Sequence, residues 1–447
     1  MKQKKKDLYN KNKDIIKIIL IFIILIIIYN IIKNLKMSKL DHYNPLDNSK
    51  QTYYFDNNAT TYIYDKKIKN IICEWMNCGN PSNTLHKEGQ AAKKELDKDR
   101  KIVADDLDVD VNDIYFTGCA TESNSILING IVNGYLLEHP NEKITIITSS
   151  IEHPSVLNLF KFFKTNPKIN VIILPVRTNQ NDEYYGRIHP DDLENAIKNA
   201  KHKIILCSIM YANNETGAIN NMKKIGLICK KYKIFLHSDC TQAIGKFIIH
   251  PKDLNISAIT CSGHKLHAPK GVGLLYLHNG CGCSSNSKEL CSKFCANSQE
   301  NHIRGGTENI AFISAFAYAL KEVHKNRDKK NEILHNYKLF ITKNLENNNC
   351  ILINPKVSLD NTMLFILKDI NTCNKMFAKM LSDKYNICIG VSSACQSGEI
   401  SHVLQSMKIN PKYKDKIIRI SLCDYNTKNE IQYLVNSIID LLSKVRN

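Results

Sequence analysis

Acidic residues are the scarce charged class in this chain: 43 Asp and Glu stand against 61 Lys and Arg in 447 residues, a formal net charge of +18. Such an excess can draw a protein to nucleic acid or to an anionic membrane surface. No compact Lys/Arg block occurs after residue 40, however. The charge therefore reads as a bias toward lysine, asparagine and isoleucine spread over the surface, and direct nucleic-acid binding is not expected. There is no internal repeat, which excludes repeat architectures. No arginine precedes Arg100 and no small-residue cleavage site follows the first apolar run, which argues against a transit peptide and a cleaved signal. What remains is ordinary: 43% hydrophobic and 23% charged residues, enough chain for two domains with a sizeable core.

Cysteine is plentiful, with 16 residues. They are scattered among apolar runs, as at Cys207, Cys229, Cys261 and Cys388, where a thiol behaves as a small hydrophobe. In a chain this large that points to a reducing compartment rather than a disulfide framework.

Residues 1–36 hold nine lysines and two aspartates, and Ile18 to Ile32 is an uncharged, mostly isoleucine stretch of 15 residues bracketed by Lys17 and Lys33. At ~1.5 Å per residue it falls short of a ~30 Å hydrocarbon core, but Ile15, Ile16 and Leu35 extend it and lysines at its ends can snorkel. The expectation is an uncleaved single-pass anchor over residues 15–35, in a basic segment 1–36 joined by a polar linker 37–53 to the rest. The basic flank predicts a cytosolic N-terminus, which would carry the remainder across the membrane. The thiol-rich composition argues for a reducing, cytosolic side, and that side is the one expected here.

Beyond the linker, β-rich runs alternate with helical patterns. Ile144 to Thr148, Val171 to Pro175, Ile204 to Met210, Ile234 to Ser238, Ala258 to Cys261 and Val272 to Leu277 read as strands, and Glu88 to Leu107, Thr121 to Leu137, Asp191 to Ala200 and Met222 to Tyr232 as helices. This alternation implies an α/β domain with a largely parallel sheet over residues 54–309. From about Ile310 a long helical stretch leads to strands Thr362 to Lys368 and Ile417 to Leu422 and a last helix near Glu430 to Leu442, a smaller α+β domain over residues 310–447.

Ligands of parallel sheets collect at the carboxyl ends of strands, and chemistry-bearing residues fall there. Ser262-Gly263-His264-Lys265 lies 23 residues after Asp239-Cys240-Thr241-Gln242. A lysine amine and a carboxylate are the two partners pyridoxal phosphate requires: the amine forms a Schiff base with the aldehyde, and the acid pairs with the ring nitrogen so that the ring accepts electrons. Asp239, if not simply solvated or capping, would keep that nitrogen protonated, Gln242 can donate to the phenolic oxygen, and Ser262 and His264 can bind phosphate; Lys265 taken alone is equally a surface lysine. Thr117-Gly118-Cys119-Ala120-Thr121-Glu122 sits between a strand, Ile114 to Phe116, and a helix. It fits a phosphate on the helix N–H groups, and equally an ordinary N-cap. His153 can lie against a flat ring or be structural. The turn Asn213-Asn214-Glu215-Thr216-Gly217 can bond a cofactor oxygen or merely close itself. Ser392 to Gly398 is a small-residue loop presenting Cys395, whose thiol needs a cationic neighbour or the cofactor's field to act as a nucleophile. Arg419, inside an apolar strand, wants a carboxylate from a substrate or from a structural ion pair.

Together these fragments resemble the pyridoxal phosphate-dependent cysteine desulfurases of the NifS/IscS type, within the class V aminotransferase superfamily. The resemblance runs from about Tyr54 to Lys444 through Phe55 to Thr61, Gly79 to Ser82 with His86 and Gly89, Gly118 to Asn124, Glu152-His153, Asn213 to Gly217, Asp239 to Gln242, Ser262 to Gly271, Arg304 to Thr307, Ser393 to Cys395 and Arg419 to Leu422. It implies a fold-type-I homodimer in which Lys265 holds the cofactor, Asp239 pairs with the ring nitrogen, His153 stacks on the ring, and Gln242 and Asn214 contact its face and phenolic oxygen. Ala120, Thr121, Ser262, Gly263 and His264 would bind the phosphate, with Thr307 from the neighbouring subunit. Arg419, with Asn214, would hold the substrate. L-cysteine would be converted to L-alanine through an external aldimine, with Lys265 moving the α-proton and Cys395 taking the sulfur as a persulfide. An acceptor or scaffold protein would receive that sulfur for iron–sulfur cluster assembly or tRNA thiolation. No resident metal is implied; Cys395 alone stands as a transient iron–sulfur ligand.

The chain departs from the family's pattern in places. Ala296 to Glu300 replaces a glycine-rich stretch, and the longer loop before it holds Cys281, Cys283, Cys291 and Cys295, whose spacing matches no established zinc pattern. The loop after Cys395 reaches Val403 about two residues sooner than in longer-loop members, and Asp424 replaces a usual arginine. Selenocysteine lyase, another class V enzyme, or an inactive membrane-bound scaffold are the alternatives; Cys395 weighs against the first two, and intact Lys265, Asp239, His153 and Cys395 against the third.

Overall fold

Runs of β-branched residues buried on both faces cannot stand alone in water, and here they pair edge to edge into two sheets. The protein's structure, a computed structural model, describes residues 51–278, 299–391 and 400–446. The chain divides at Thr52/Tyr53, and the part from Tyr53 onward is the one described here. Its strands are β1 (Tyr53–Phe55), β2 (Ile114–Thr117), β3 (Ile144–Ser149), β4 (Ile169–Leu174), β5 (Lys203–Ser208), β6 (Leu236–Asp239), β7 (Ala258–Ser262), β8 (Gly273–Leu277), β9 (Cys350–Leu352), β10 (Thr362–Leu367), β11 (Ile387–Val391) and β12 (Ile417–Ser421).

Seven strands form the first sheet in the order β2-β8-β7-β6-β5-β3-β4. All neighbours from β7 to β4 are parallel, and β8 alone runs against both of its partners. The expected α/β architecture with a largely parallel sheet is the one observed. Helices Lys87–Leu107 and Ile310–His324 pack on it, sharing a core in which Phe116, Ile259, Leu274 and Phe316 are buried. The long helical stretch expected from Ile310 consists of two helices, because Asn326 takes a left-handed backbone conformation (φ 54°) before helix Arg327–Glu346.

Five strands form the second sheet, β1-β11-β12-β10-β9. Helices Arg327–Glu346, Asn374–Tyr385 and Lys428–Val445 close over its own core of Phe365, Phe377, Ile418 and Leu434. Strand β1 pairs parallel with β11, Tyr53 opposite Ile387. The earliest strand thus joins a sheet otherwise built from the last hundred residues, and the chain must cross from one sheet to the other immediately after Phe55.

The expected membrane anchor is corrected. Among the described residues no helix is long and apolar enough to cross a membrane. The apolar helix Ile310–His324 has 15 residues, about 22 Å at 1.5 Å per residue, and packs into the first core; the longer Lys87–Leu107 is studded with charge along its outer face. Residues 15–35, on which the anchor and a hydrophobic N-terminal helix were expected, lie outside the described residues. The eleven cysteines within them are all free thiols, in keeping with the composition.

Candidate active site

The carboxyl ends of β6 and β7, the start of helix Ala120–Glu138 and a segment running away from β1 converge on a cavity of about 440 Å³, lined by residues that include Thr121, His153, Asp239, Ser262, Lys265 and Arg419. Asp239 is the last residue of β6 rather than the first beyond it. Its buried carboxylate accepts from Asn124 Nδ2 at 3.1 Å and from the Thr241 N–H at 3.0 Å. Lys265 ends a single helical turn after β7, and its Nζ donates to the Asn58 and Ala59 carbonyls, both at 2.6 Å. Burial, reinforced by the nearby cations of Arg419 and Lys246, lowers the Lys265 amine from 10.5 to about 8. A substantial fraction of it is therefore the neutral, nucleophilic form near physiological pH.

Opposite Lys265 stands the N-terminus of helix Ala120–Glu138, which has no side-chain cap. Its Ala120 N–H donates to Ser262 Oγ at 2.7 Å, and exposed Thr121 faces the cavity. Free N–H groups and a helix dipole favour an anion at this place. His264 also lines the cavity, with Nδ1 within 3.0 Å of Thr60 Oγ1; burial and then Lys265 press its pKa to about 4, so it can meet an anion only as a neutral N–H donor. His153 caps helix Pro154–Phe163, its Nδ1 accepting the Ser155 N–H at 3.2 Å. Open to the cavity but hemmed in by protein, it has its pKa lowered chiefly by desolvation. Beneath it Glu152 is fully buried, and burial raises its carboxyl to about 8.

Arg419, on β12, reaches across from the second sheet. Its Nη2 donates to Asp56 Oδ1 at 2.6 Å and its Nη1 to the Asn214 carbonyl at 3.1 Å, while Nε is buried with no partner. Gly390, paired with Arg419 in the β11/β12 ladder, makes room for this: a Cβ there would come within 2.7 Å of Asp56 Oδ1 and 2.9 Å of Arg419 Nε and Nη2. Gly390→Ala is therefore expected to displace the guanidinium, raising KM for substrate by about 10-fold, in line with the ~1–3 kcal/mol cost of overpacking, while cofactor absorbance stays unchanged. Equal KM values would refute this.

Most residues singled out in the sequence meet here: Ala120, Thr121, His153, Asn214, Asp239, Gln242, Ser262, His264, Lys265 and Arg419 all line the cavity. Gly263 does not. Its N–H is already given to Val272 O at 3.0 Å, and its missing side chain leaves space for Val272 and Phe316, a packing role. Thr307 is exposed and absent from this chain's cavity wall. Cys395 and the four cysteines Cys281, Cys283, Cys291 and Cys295 lie outside the described residues. Among the described residues His267, Cys423 and Asp424 have metal-ligand types close together, but Asp424 is engaged by His267 at 3.2 Å and Lys330 at 2.8 Å, so the departure at 424 is absorbed into an ion-pair cluster.

Three contributors carried no assigned role in the sequence. Asn58 accepts from both Lys265 and Gln242 through its carbonyl, and its amide donates to Asn214 O and Thr362 Oγ1. Asn124 holds Asp239. Thr241 lines the cavity with a buried hydroxyl lacking a partner. Pyridoxal phosphate fits this seat: an amine of lowered pKa, a buried carboxylate, an uncapped helix start and an unpaired hydroxyl are gathered in a space of suitable size.

Comparison with known proteins agrees with this chemistry. The family profile Aminotransferase class-V matches residues 53–434. A cysteine desulfurase IscS of Methanosarcina thermophila is 32% identical over 405 residues, covering 88% of this chain and 93% of that protein. A solved NifS-like protein superposes with a TM-score of 0.76 at 29% identity, over 88% of this chain and all of that one. A structure described as SspA in complex with cysteine has a TM-score of 0.69 at 27% identity, over 84% of this chain and all of that one. The chain belongs to the class V aminotransferases, with their fold-type-I α/β architecture and pyridoxal phosphate dependence. Within that family it belongs with the cysteine desulfurases of the NifS/IscS type.

Proposed function

We infer that this chain is a cysteine desulfurase converting L-cysteine to L-alanine and storing the released sulfur on Cys395. The observation that carries the reading is the meeting of Lys265, Asp239 and Arg419 in one cavity. Bound pyridoxal phosphate supplies an aldehyde and an electron-accepting ring. Lys265 would hold it, Asp239 would pair with the ring nitrogen, His153 would lie on the ring face, and the start of helix Ala120–Glu138 with Thr121, Ser262 and His264 would take the phosphate.

The protein's own groups account for the rest. Arg419, a cation lining the cavity, would orient the substrate carboxylate. Lys265, with a pKa of about 8, can both take and return a proton at Nζ close to neutral pH. In net terms the Cys395 thiol and L-cysteine give a Cys395 persulfide and L-alanine: the carbon–sulfur bond breaks and a sulfur–sulfur bond forms. Both flanks of the Cys395 stretch are tied to residues next in sequence to cavity-lining Arg419, Asn214 and His153, which supports this assignment. Val391 pairs with Ile418 beside Arg419; Ser401 Oγ bonds Glu215 at 2.8 Å, and His402 Nε2 lies 2.9 Å from the Glu152 carbonyl. A second copy of the chain would supply Thr307, and a partner protein would accept the sulfur for iron–sulfur cluster assembly or RNA thiolation.

The test is alanine and persulfide formation from L-cysteine by the purified protein with added cofactor. Cys395→Ala is expected to keep the cofactor's colour and lose turnover by about 10²-fold or more, as removal of a nucleophile does. Undiminished turnover in that variant would take Cys395 out of the reaction.

A further inference from the structure

A run of side-chain hydrogen bonds beneath the cavity has its donor directions fixed by counting hydrogens. Asn124, fully buried, presents Nδ2 to Asp239 Oδ2 at 3.1 Å and to Ser155 Oγ at 3.0 Å, and its Oδ1 accepts from Thr260 Oγ1 at 2.6 Å. The reverse amide orientation would set an oxygen against the Asp239 carboxylate, so only this one serves. Thr260 has then committed its one hydrogen to Asn124, and its 3.1 Å contact with His237 Nε2 must run from the ring N–H to the hydroxyl. His237 is fully buried, and burial presses its pKa down to about 4. The ring is neutral, its Nδ1 is bare, and Ser208 Oγ donates to it at 2.8 Å. On the other arm Ser155 Oγ accepts from Asn124 and gives its own hydrogen to His153 Nδ1 at 2.8 Å, a nitrogen that is bare because the Ser155 backbone N–H points at it. That nitrogen also accepts the Ser155 backbone N–H, which leaves the ring proton of His153 on Nε2.

We propose that Asn124 is a positioning residue that joins two walls of the cofactor seat: it orients the Asp239 carboxylate and, through Ser155, fixes His153 as the neutral tautomer protonated on Nε2. The proposal rests on the cofactor reading above. Its chemical sense lies in charge. A cationic imidazole against a ring whose nitrogen is already positive would oppose the pairing that Asp239 provides, and a hydrogen-bond donor aimed at Nδ1 disfavours that cation. One planar group with two donors and one acceptor meets all three neighbours; neither aspartate nor leucine can. The titratable groups around the network are Asp239, Glu152, His153, Glu215, His237, Cys240, Cys261, Lys265 and His402.

Two measurements test this. Nitrogen-15 NMR of histidine-labelled apoprotein is expected to show His153 and His237 protonated on Nε2; a proton on Nδ1 of either ring at neutral pH overturns the wiring. In the loaded enzyme, Asn124→Leu and Asn124→Asp are each expected to lower kcat about 10- to 100-fold with little change in KM, and to shed cofactor faster on dialysis, as loss of a hydrogen bond to a charged group does. Asn124→Asp should regain cofactor retention, relative to wild type, as pH falls from about 8 to about 6, because one of two adjacent carboxyls then takes a proton and can donate again. Asn124→Leu should not regain it. Parallel pH behaviour of the two variants, or unchanged kcat and retention in both, overturns the proposal. If Asn124→Leu does not fold, Thr260→Val, which removes the donor to Oδ1 together with the acceptor of the His237 Nε2–H, replaces it with an effect in the same direction. A wild-type protein that stays colourless with pyridoxal phosphate refutes the cofactor reading and the role toward the ring, while the tautomers are read on the apoprotein either way.

Discussion

Exchanging Lys265 for alanine is expected to leave a folded protein that no longer retains pyridoxal phosphate through dialysis and turns over L-cysteine at least 10²- to 10⁴-fold more slowly, the range that loss of a positioned acid–base group produces. The side chain is half-buried and its only described hydrogen bonds go to two carbonyls of the segment after β1, so its removal opens the cavity rather than the core. A pH signature accompanies this. With the amine lowered to about 8 by burial and by Arg419 and Lys246, the rate at which wild-type apoprotein gains colour in pyridoxal phosphate should rise with pH to a midpoint near 8, well below that of an ordinary lysine. Stopped-flow absorbance across that range measures it. A midpoint above about 10, the ordinary lysine value, would show that the cationic surroundings have no hold on Lys265.

Arg419→Leu ranks next in expected effect. Charge-assisted hydrogen bonds contribute about 1.5–3 kcal/mol, so kcat/KM for L-cysteine should fall about 10- to 100-fold, mainly through KM. Loss of the guanidinium also strands Asp56, whose carboxylate is bonded to Arg419 Nη2 and would face an incoming substrate carboxylate with like charge. The double variant Asp56→Asn, Arg419→Leu should therefore recover part of the loss. Steady-state kinetics on both variants decides the matter: a double variant weaker than Arg419→Leu would mean that Asp56 itself contacts the substrate.

Residues whose roles are local were legible in the sequence. Asp239 and Lys265 sit at strand ends, and strand ends can be read from short apolar runs closed by polar residues. Residues whose roles depend on distant partners were not. Asn58 meets Ser421 across 363 positions and Asn124 meets Asp239 across 115, and although Arg419 could be seen to want a carboxylate, nothing pointed to Asp56, 363 positions away; no spacing rule reaches that far. Strand β1 has three residues, too short for a periodic signal, and exists because β11 offers it an open edge. Gly263, a small residue beside Ser262, looks in the sequence like a close-approach device; in the fold it lies off the cavity wall and admits Val272 and Phe316. The contrast sits in the same motif, where Ser262 and Lys265 do line the cavity.

The crossing of the chain directly after Phe55 also orders events during synthesis. Thr61 bonds the His264 carbonyl, whereas Asn58 rests on Ser421 and Asp56 on Arg419, so one short early segment is fastened to both sheets. Its partners in β11 and β12 are the last strands to leave the ribosome, hundreds of residues after it does, and contacts so distant in sequence form slowly. Until then the first sheet can assemble with Lys265 and Asp239 in place while one wall of the cavity is missing. A nascent or C-terminally truncated chain would thus carry an accessible lysine amine and lack Arg419 opposite it, and on the reading proposed above desulfuration would begin only when β12 has joined its sheet.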